Sequence, residues 1–193
     1  MVKPLSTQAA PAPDASVLAA ARRAEPWAQR QIVLHLQAPV HRLMWRMLGS
    51  AGRSELAQDL TQDALLRIVR ALPGFRDDGE AKFRTWALTI ATRCAIDELR
   101  RRPLPTVAMM SSAASDAVLP DLAIERAAIG GAIAAAIDEL APEIRATFVL
   151  RAYHDMDYRD IAEALEIDLG TVKSRLWRAR AALQRRLEGL RHG

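Results

Sequence analysis

The densest run of reactive side chains lies near the C-terminal end, where Lys173, Arg175, Arg178, Arg180, Arg185 and Arg186 place six cations and no carboxylate between residues 169 and 187. Val172, Leu176, Ala179, Leu183 and Leu187 recur there at spacings of four, three, four and four. That period puts one apolar stripe on a helix and leaves the cations on its other faces. Guanidinium and ammonium groups so arranged are donors for phosphate oxygens and for guanine edges. Just upstream, Asp157 can cap a short amphipathic helix over Tyr158–Leu165, and residues 166–168 make a tight turn. Two helices joined in this way have the grammar of a helix-turn-helix, whose second helix enters the major groove by its N-terminal end. Gly170 and Thr171 would bring backbone N–H groups to a phosphate at that end. Taken alone, the period and the charge also fit a solvated basic helix in a bundle.

A second pattern has the opposite sign. Glu55, Asp59 and Asp63 fall at successive intervals of four, an acidic stripe between residues 41 and 102, where 12 Lys or Arg face 8 Asp or Glu. Such a stripe is repelled by DNA and attracted to a basic protein surface, and its plain alternative is a solvated helix face. Enzymatic chemistry finds no support. His35, His41, His154 and His192 show no metal-ligand spacing, there is no Gly-rich phosphate loop or nucleophile elbow, and the lone Cys94 excludes an internal disulfide. Neither metal nor cofactor is expected.

These groups need helices to position them. In 193 residues, half hydrophobic but only 5% aromatic, Ala, Leu and Arg dominate, which favours an all-α fold. Residues 1–24, rich in Ala, Pro and Ser, read as a flexible tail with one short helix near its end. Ile32, Leu36, Val40, Leu43 and Met47 share one helical face, with Pro39 as a bend or boundary. A second helix, capped by Ser54, turns Leu60, Ala64, Ile68 and Leu72 inward and ends at Pro73-Gly74; a third, over residues 83–102, turns in Phe83, Trp86, Ile90 and Cys94. At this spacing Trp86 is core rather than a stacking platform. Residues 103–128, with three prolines, read as a linker, and periodicity resumes with Ile133, Ile137 and Leu140 and again after Pro142. The expected organisation is therefore two small helical domains, 25–102 and 129–193, joined by a flexible linker. The net charge of +4 suggests an anionic partner. Prolines interrupt the N-terminal stretch before a long apolar run develops, so neither a secretory signal nor a membrane span is expected, and the cytoplasm is the expected compartment. No sensory extension is expected after Leu190.

The string GTVKSRLWRAR resembles the recognition helix of the extracytoplasmic-function group of bacterial sigma factors. DLTQDALLRIVRALPGF, followed by FRTWALTIATRCAIDELRRR, resembles the polymerase-binding and minus-ten-reading region of the same group, in the family's order and separation. The resemblance implies a factor that binds core RNA polymerase, through the beta-prime clamp helices and the beta flap, and aims it at promoter DNA. It matches Asp59, Gln62 and Asp63, with Glu55 beside them, to the polymerase contact. It matches the third helix and the loop before it to the minus-ten reader, where Phe75, Arg76, Lys82, Thr85, Thr89, Arg93 and Arg100 would meet unpaired DNA; Arg93 stands where the family commonly has Asn. It matches Lys173, Ser174, Trp177 and Arg178 to minus-thirty-five duplex contact, Arg175 and the Gly170-Thr171 backbone taking phosphate, with Trp177 open between groove contact and packing. The linker resembles the family's connector toward the polymerase active-site path, its plain alternative being a tether. An anti-sigma factor is the further partner implied. The competing reading is a helix-turn-helix regulator of duplex DNA that is not a polymerase subunit; it leaves the acidic stripe and the first domain without a purpose.

Overall fold

The computed structural model describes residues 13–49, 54–76, 80–101 and 121–191, and among them the chain is helical with no strand. The first domain comprises α1 (Ala15–Arg22), α2 (Pro26–Leu48), α3 (Ser54–Ala71), a 3-10 turn (Leu72–Gly74) and α4 (Glu80–Arg101). Asp14 starts α1 by accepting the Val17 N–H at 2.9 Å, which satisfies one of the donors a helix start leaves open. Val17, Leu18, Ala20 and Ala21 are then buried in the same core as α2, so this helix is part of the domain and not of a tail. Residues 1–12 lie outside the described residues. Pro39 is not a boundary: it is buried inside a continuous 23-residue helix. One backbone bond is lost there, and the burial of Leu36, Val40, Leu43 and Met44 on the same stretch offsets it. Phe75, Phe83 and Trp86 close the far end of the domain, with Phe75 lying 5.4 Å from Phe83 and 4.8 Å from Trp86 between ring centroids.

The second domain comprises α5 (Asp121–Asp138), α6 (Pro142–His154), α7 (Tyr158–Leu165) and α8 (Leu169–Arg191). Helix α5 begins inside the segment expected to be linker; residues 102–120 lie outside the described residues. Val172, Leu176, Ala179 and Leu183 are buried as their spacing requires, and Leu187 is half-buried.

The two domains share one core. Ala146, Val149, Leu150, Ile161, Val172 and Leu176 belong to the same buried cluster as Ile32, Leu88 and Leu99. A polar contact crosses the seam as well. Arg145, 2% exposed, donates to the Met47 carbonyl at 2.8 Å and to the Leu140 carbonyl at 3.3 Å, and its guanidinium also reaches the Asp138 carbonyl. The last carbonyls of a helix lack donors of their own, so a side chain of the second domain caps the end of α2.

Candidate nucleic-acid interface

Asp157 opens the helix-turn-helix by accepting the N–H groups of Arg159 and Asp160, each at 2.8 Å. Glu166 then turns the chain in the left-handed region at φ 54°, and Asp168 starts the recognition helix. Its carboxylate accepts the Thr171 N–H at 2.8 Å and the Thr171 hydroxyl at 2.6 Å, and these bonds, the hydroxyl's above all, hold its pKa below the ordinary value. The expected phosphate seat on the Gly170-Thr171 backbone is therefore corrected: an internal carboxylate already occupies it, and a phosphate there would meet like charge. A Cβ on Gly170 would come within 2.9 Å of the same Asp168 oxygen, so the glycine makes room for this cap. An Asp three residues before a Thr at a helix start was the sequence signal for it.

Beyond that turn α8 presents what its spacing implied. Lys173, Ser174 and Arg178 are exposed, and Trp177 is 70% exposed, which places it outward and not in the packing. Arg175 is half-buried on the side toward Glu143, whose carboxyl it helps to hold at a lowered pKa after the larger effect of Arg100.

On α4, Lys82, Thr85, Thr89, Arg93 and Arg100 share a face, at steps of three, four, four and seven residues. Thr89 donates its hydroxyl proton to the Thr85 carbonyl at 2.9 Å, which leaves that oxygen as an acceptor toward the surface. Arg76 is exposed; Phe75 is 5% exposed, and its buried ring cannot be a base contact as expected. Burial against Phe83 and Trp86 outcompetes display of an aromatic ring to solvent. Residues 77–79 of the preceding loop lie outside the described residues.

The end of this face is ion-paired while still exposed. Arg93 pairs with Glu166 at 2.7 Å and Arg100 with Glu143 at 2.7 Å, so the carboxylates of the second domain sit on two of the cations expected to meet nucleic acid.

The acidic stripe behaves differently. Glu55, Asp59, Gln62 and Asp63 are all exposed along α3. Leu66, 53% exposed, stands three residues after Asp63 and four after Gln62, adding an apolar contact to the same face. Its sequence signal was a leucine out of phase with Leu60, Ala64, Ile68 and Leu72. Among the described residues no group of His, Cys, Asp or Glu could hold a metal, and no helix is long and apolar enough to cross a membrane.

The exposed acidic face of α3 and the exposed basic face of α8 thus lie on separate domains of one chain. Residues 32–103 match the family model Sigma-70 region 2, and residues 130–183 match Sigma-70, region 4. The chain is 31% identical over 162 residues to the ECF RNA polymerase sigma factor SigW of Bacillus subtilis, covering 78% of this chain and 84% of that protein. It is 30% identical over 161 residues to the RNA polymerase sigma-H factor of Pseudomonas aeruginosa, covering 78% and 82%. Among solved structures it resembles CnrH in complex with the cytosolic domain of CnrY, with a TM-score of 0.63, 21% identity, and 90% and 96% of the two chains covered. The sigma factor RpoE bound to the anti-sigma factor NepR from Bartonella quintana has a TM-score of 0.61 at 21% identity, covering 82% and 96%. These two likenesses bear on the fold.

Proposed function

The chain belongs to the extracytoplasmic-function group of sigma-70 factors, and from that premise we propose how its surfaces divide the work of transcription initiation. It is a factor that binds core RNA polymerase and directs promoter-specific initiation, with the first domain reading the minus-ten element and the second the minus-thirty-five element. Glu55, Asp59, Gln62 and Asp63, with Leu66 as the apolar centre, dock on the beta-prime clamp helices, while the second domain engages the beta flap. Arg76, Lys82, Thr85, Thr89, Arg93 and Arg100 track the unpaired minus-ten strand. Lys173, Ser174, Trp177 and Arg178 face the minus-thirty-five groove, and Arg175 holds phosphate. The observation that carries this division is the exposed acidic face of α3 in a chain whose other interaction surfaces are basic, because such a face recognises a cationic protein and not DNA. The factor performs no catalysis of its own, acts in the cytoplasm where its polymerase is, and is restrained by an anti-sigma partner, as the structurally similar RpoE is bound by NepR.

Transcription in vitro with purified core polymerase tests the reading. The expected result is initiation that depends on the added chain and on promoter sequence. Duplex binding without factor-dependent initiation would make the chain a conventional regulator and overturn the assignment.

A second measurement separates base contacts from phosphate contacts on α8. Lys173→Ala and Arg178→Ala should each cost roughly 1–3 kcal/mol and relax preference at one minus-thirty-five position. Arg175→Ala should weaken all duplexes alike and lower the salt slope by about one. The assay is full-chain affinity for promoter duplexes varied one position at a time; equal losses on every duplex for Lys173→Ala and Arg178→Ala would leave α8 an electrostatic anchor only.

A further inference from the structure

Arg84 stands four residues before Leu88 and seven before Ala91, both fully buried, so its place on α4 is an inward one, away from the face of Lys82, Thr85, Thr89 and Arg93. The pairing of Arg100 with Glu143 holds the start of α6 against the end of α4. His154, at the other end of α6 and 4% exposed, therefore lies about 16 Å back along α4, roughly one and a half turns from Arg84 and within the span of an arginine side chain. On α2, Arg46 sets its guanidinium 4.4 Å from the centre of the ring of Tyr153, the residue before His154, and Arg42 is one turn back. Burial, then Arg84, then Arg42 disfavour a proton on the His154 ring, so both guanidiniums act on it at close range. Nothing among the described residues neutralises this group. Arg42 and Arg84 are half-buried and form no ion pair there; the Nε atoms of both, and both ring nitrogens of His154, are buried without a hydrogen-bond partner. The next carboxylates along the chain, Asp155 and Asp157, are exposed, and Asp157 accepts the N–H groups of Arg159 and Asp160. Two cations and a polar ring gathered out of water cost free energy unless an anion shares the place.

We propose that Arg42, Arg84 and His154 form a binding site for a small phosphate-type dianion, free phosphate or a phosphate monoester. A guanidinium fork matches the oxygens of a phosphate, and two forks from different helices hold it from two sides. Neutral imidazole keeps one N–H donor for a further oxygen, so the histidine contributes a hydrogen bond without carrying charge. The backbone of a nucleic-acid strand is the wrong ligand for this place. Its phosphodiester carries a single charge, two of its oxygens are esterified, and Arg84 faces inward, on the side of α4 opposite the residues assigned to the minus-ten strand. The site is thus separate from both DNA-reading surfaces, and it makes the stability of the factor respond to a small anion.

The test is urea unfolding of the full chain with inorganic phosphate, methyl phosphate or dimethyl phosphate, each against sodium chloride at matched ionic strength. Inorganic phosphate at about 20 mM should raise the folding equilibrium constant about twentyfold, the mass-action gain for a Kd of about 1 mM. The ring proton resonances of His154, identified by their loss in His154→Leu, should move along the same binding curve. Arg42→Gln and Arg84→Gln should each cut the gain to about twofold or less and leave the His154 signals unmoved by phosphate. Arg185→Gln removes one exposed cation of α8 and should keep the parent's gain. The comparison rests on Arg42→Gln wherever Arg84→Gln loses helicity. A gain with phosphate alone assigns the free ion, and an equal gain with methyl phosphate extends the site to monoesters. No gain in the parent, equal gains in the parent and Arg42→Gln, or a His154 signal that phosphate does not move overturns the site. A gain from dimethyl phosphate as large as that from phosphate overturns the dianion and makes the cluster a contact for nucleic-acid backbone.

Discussion

Replacing both Asp59 and Asp63 by lysine should weaken binding to core polymerase on the order of a hundredfold, because cations would face a cationic partner surface and like charges across an interface cost several kcal/mol. The fold should hardly notice. Both side chains are exposed on α3, and a lysine in place of Asp63 would stand one turn from Arg67, a like-charge spacing that costs only a few tenths of a kcal/mol. Helicity and melting temperature should thus remain near those of the parent while affinity collapses. Leu66→Ser supplies the complementary measurement. It removes the apolar centre of the same face, so its loss, about tenfold, should persist at high salt, whereas the parent's charge-driven affinity declines as salt screens it. Titration of labelled core polymerase at two ionic strengths reads both. Undiminished affinity of the charge-reversed chain would remove α3 from the docking site.

What the sequence made legible divides along a physical line. Periodicity located α2, α3, α4, α7 and the inward face of α8, because burial on one side of a helix leaves its mark every three to four residues. It could not decide whether Pro39 ends a helix, since that depends on how much tertiary burial offsets one missing bond, nor that α1 would be core, since Ala-rich segments bury without a strong pattern. Phe75 carried the same ambiguity as any aromatic beside a basic loop; the choice between a base and the rings of Phe83 and Trp86 is made by how the start of α4 folds back on the loop before it. The recognition helix shows a subtler limit. Gly170 and Thr171 looked like a phosphate seat, yet Asp168 lies just before them and caps first, a local hydrogen bond outcompeting a ligand at no cost in association entropy. The seam between the domains had no sequence signature at all. No spacing links Glu143, Arg145 and Glu166 to Arg100, Met47 and Arg93; only the fold brings them together.

That seam also sets the response to acid. His154, at the end of α6, is 4% exposed, and neither ring nitrogen has a hydrogen-bond partner among the described residues. Burial first, then the cations Arg84 and Arg42 on the first domain, push its pKa down to about 4 from an ordinary 6.5. The native state therefore refuses a proton that the unfolded chain accepts. Stability is fully present above pH 6.5 and is lost as pH falls toward 4, by roughly 3 kcal/mol in all. The carboxylates whose pKa values are lowered, Glu143, Asp168, Glu25 and Asp14, lose their contributions only as pH falls below their ordinary values of 3.8 to 4.5, so the window between pH 6.5 and 5 belongs to the histidine. His154→Leu should change stability at pH 7 by less than about 1 kcal/mol, since it exchanges an unpaired buried polar ring for an apolar group of similar size. It should also flatten the acid slope through that window. Urea unfolding of parent and variant at pH 7.0, 6.0 and 5.0 gives both numbers. Because His154 belongs to one domain and Arg42 and Arg84 to the other, protonation sets three cations against one another across the seam, and the first consequence of acid should be separation of the domains. An acid slope as steep in His154→Leu as in the parent would place the titrating group elsewhere.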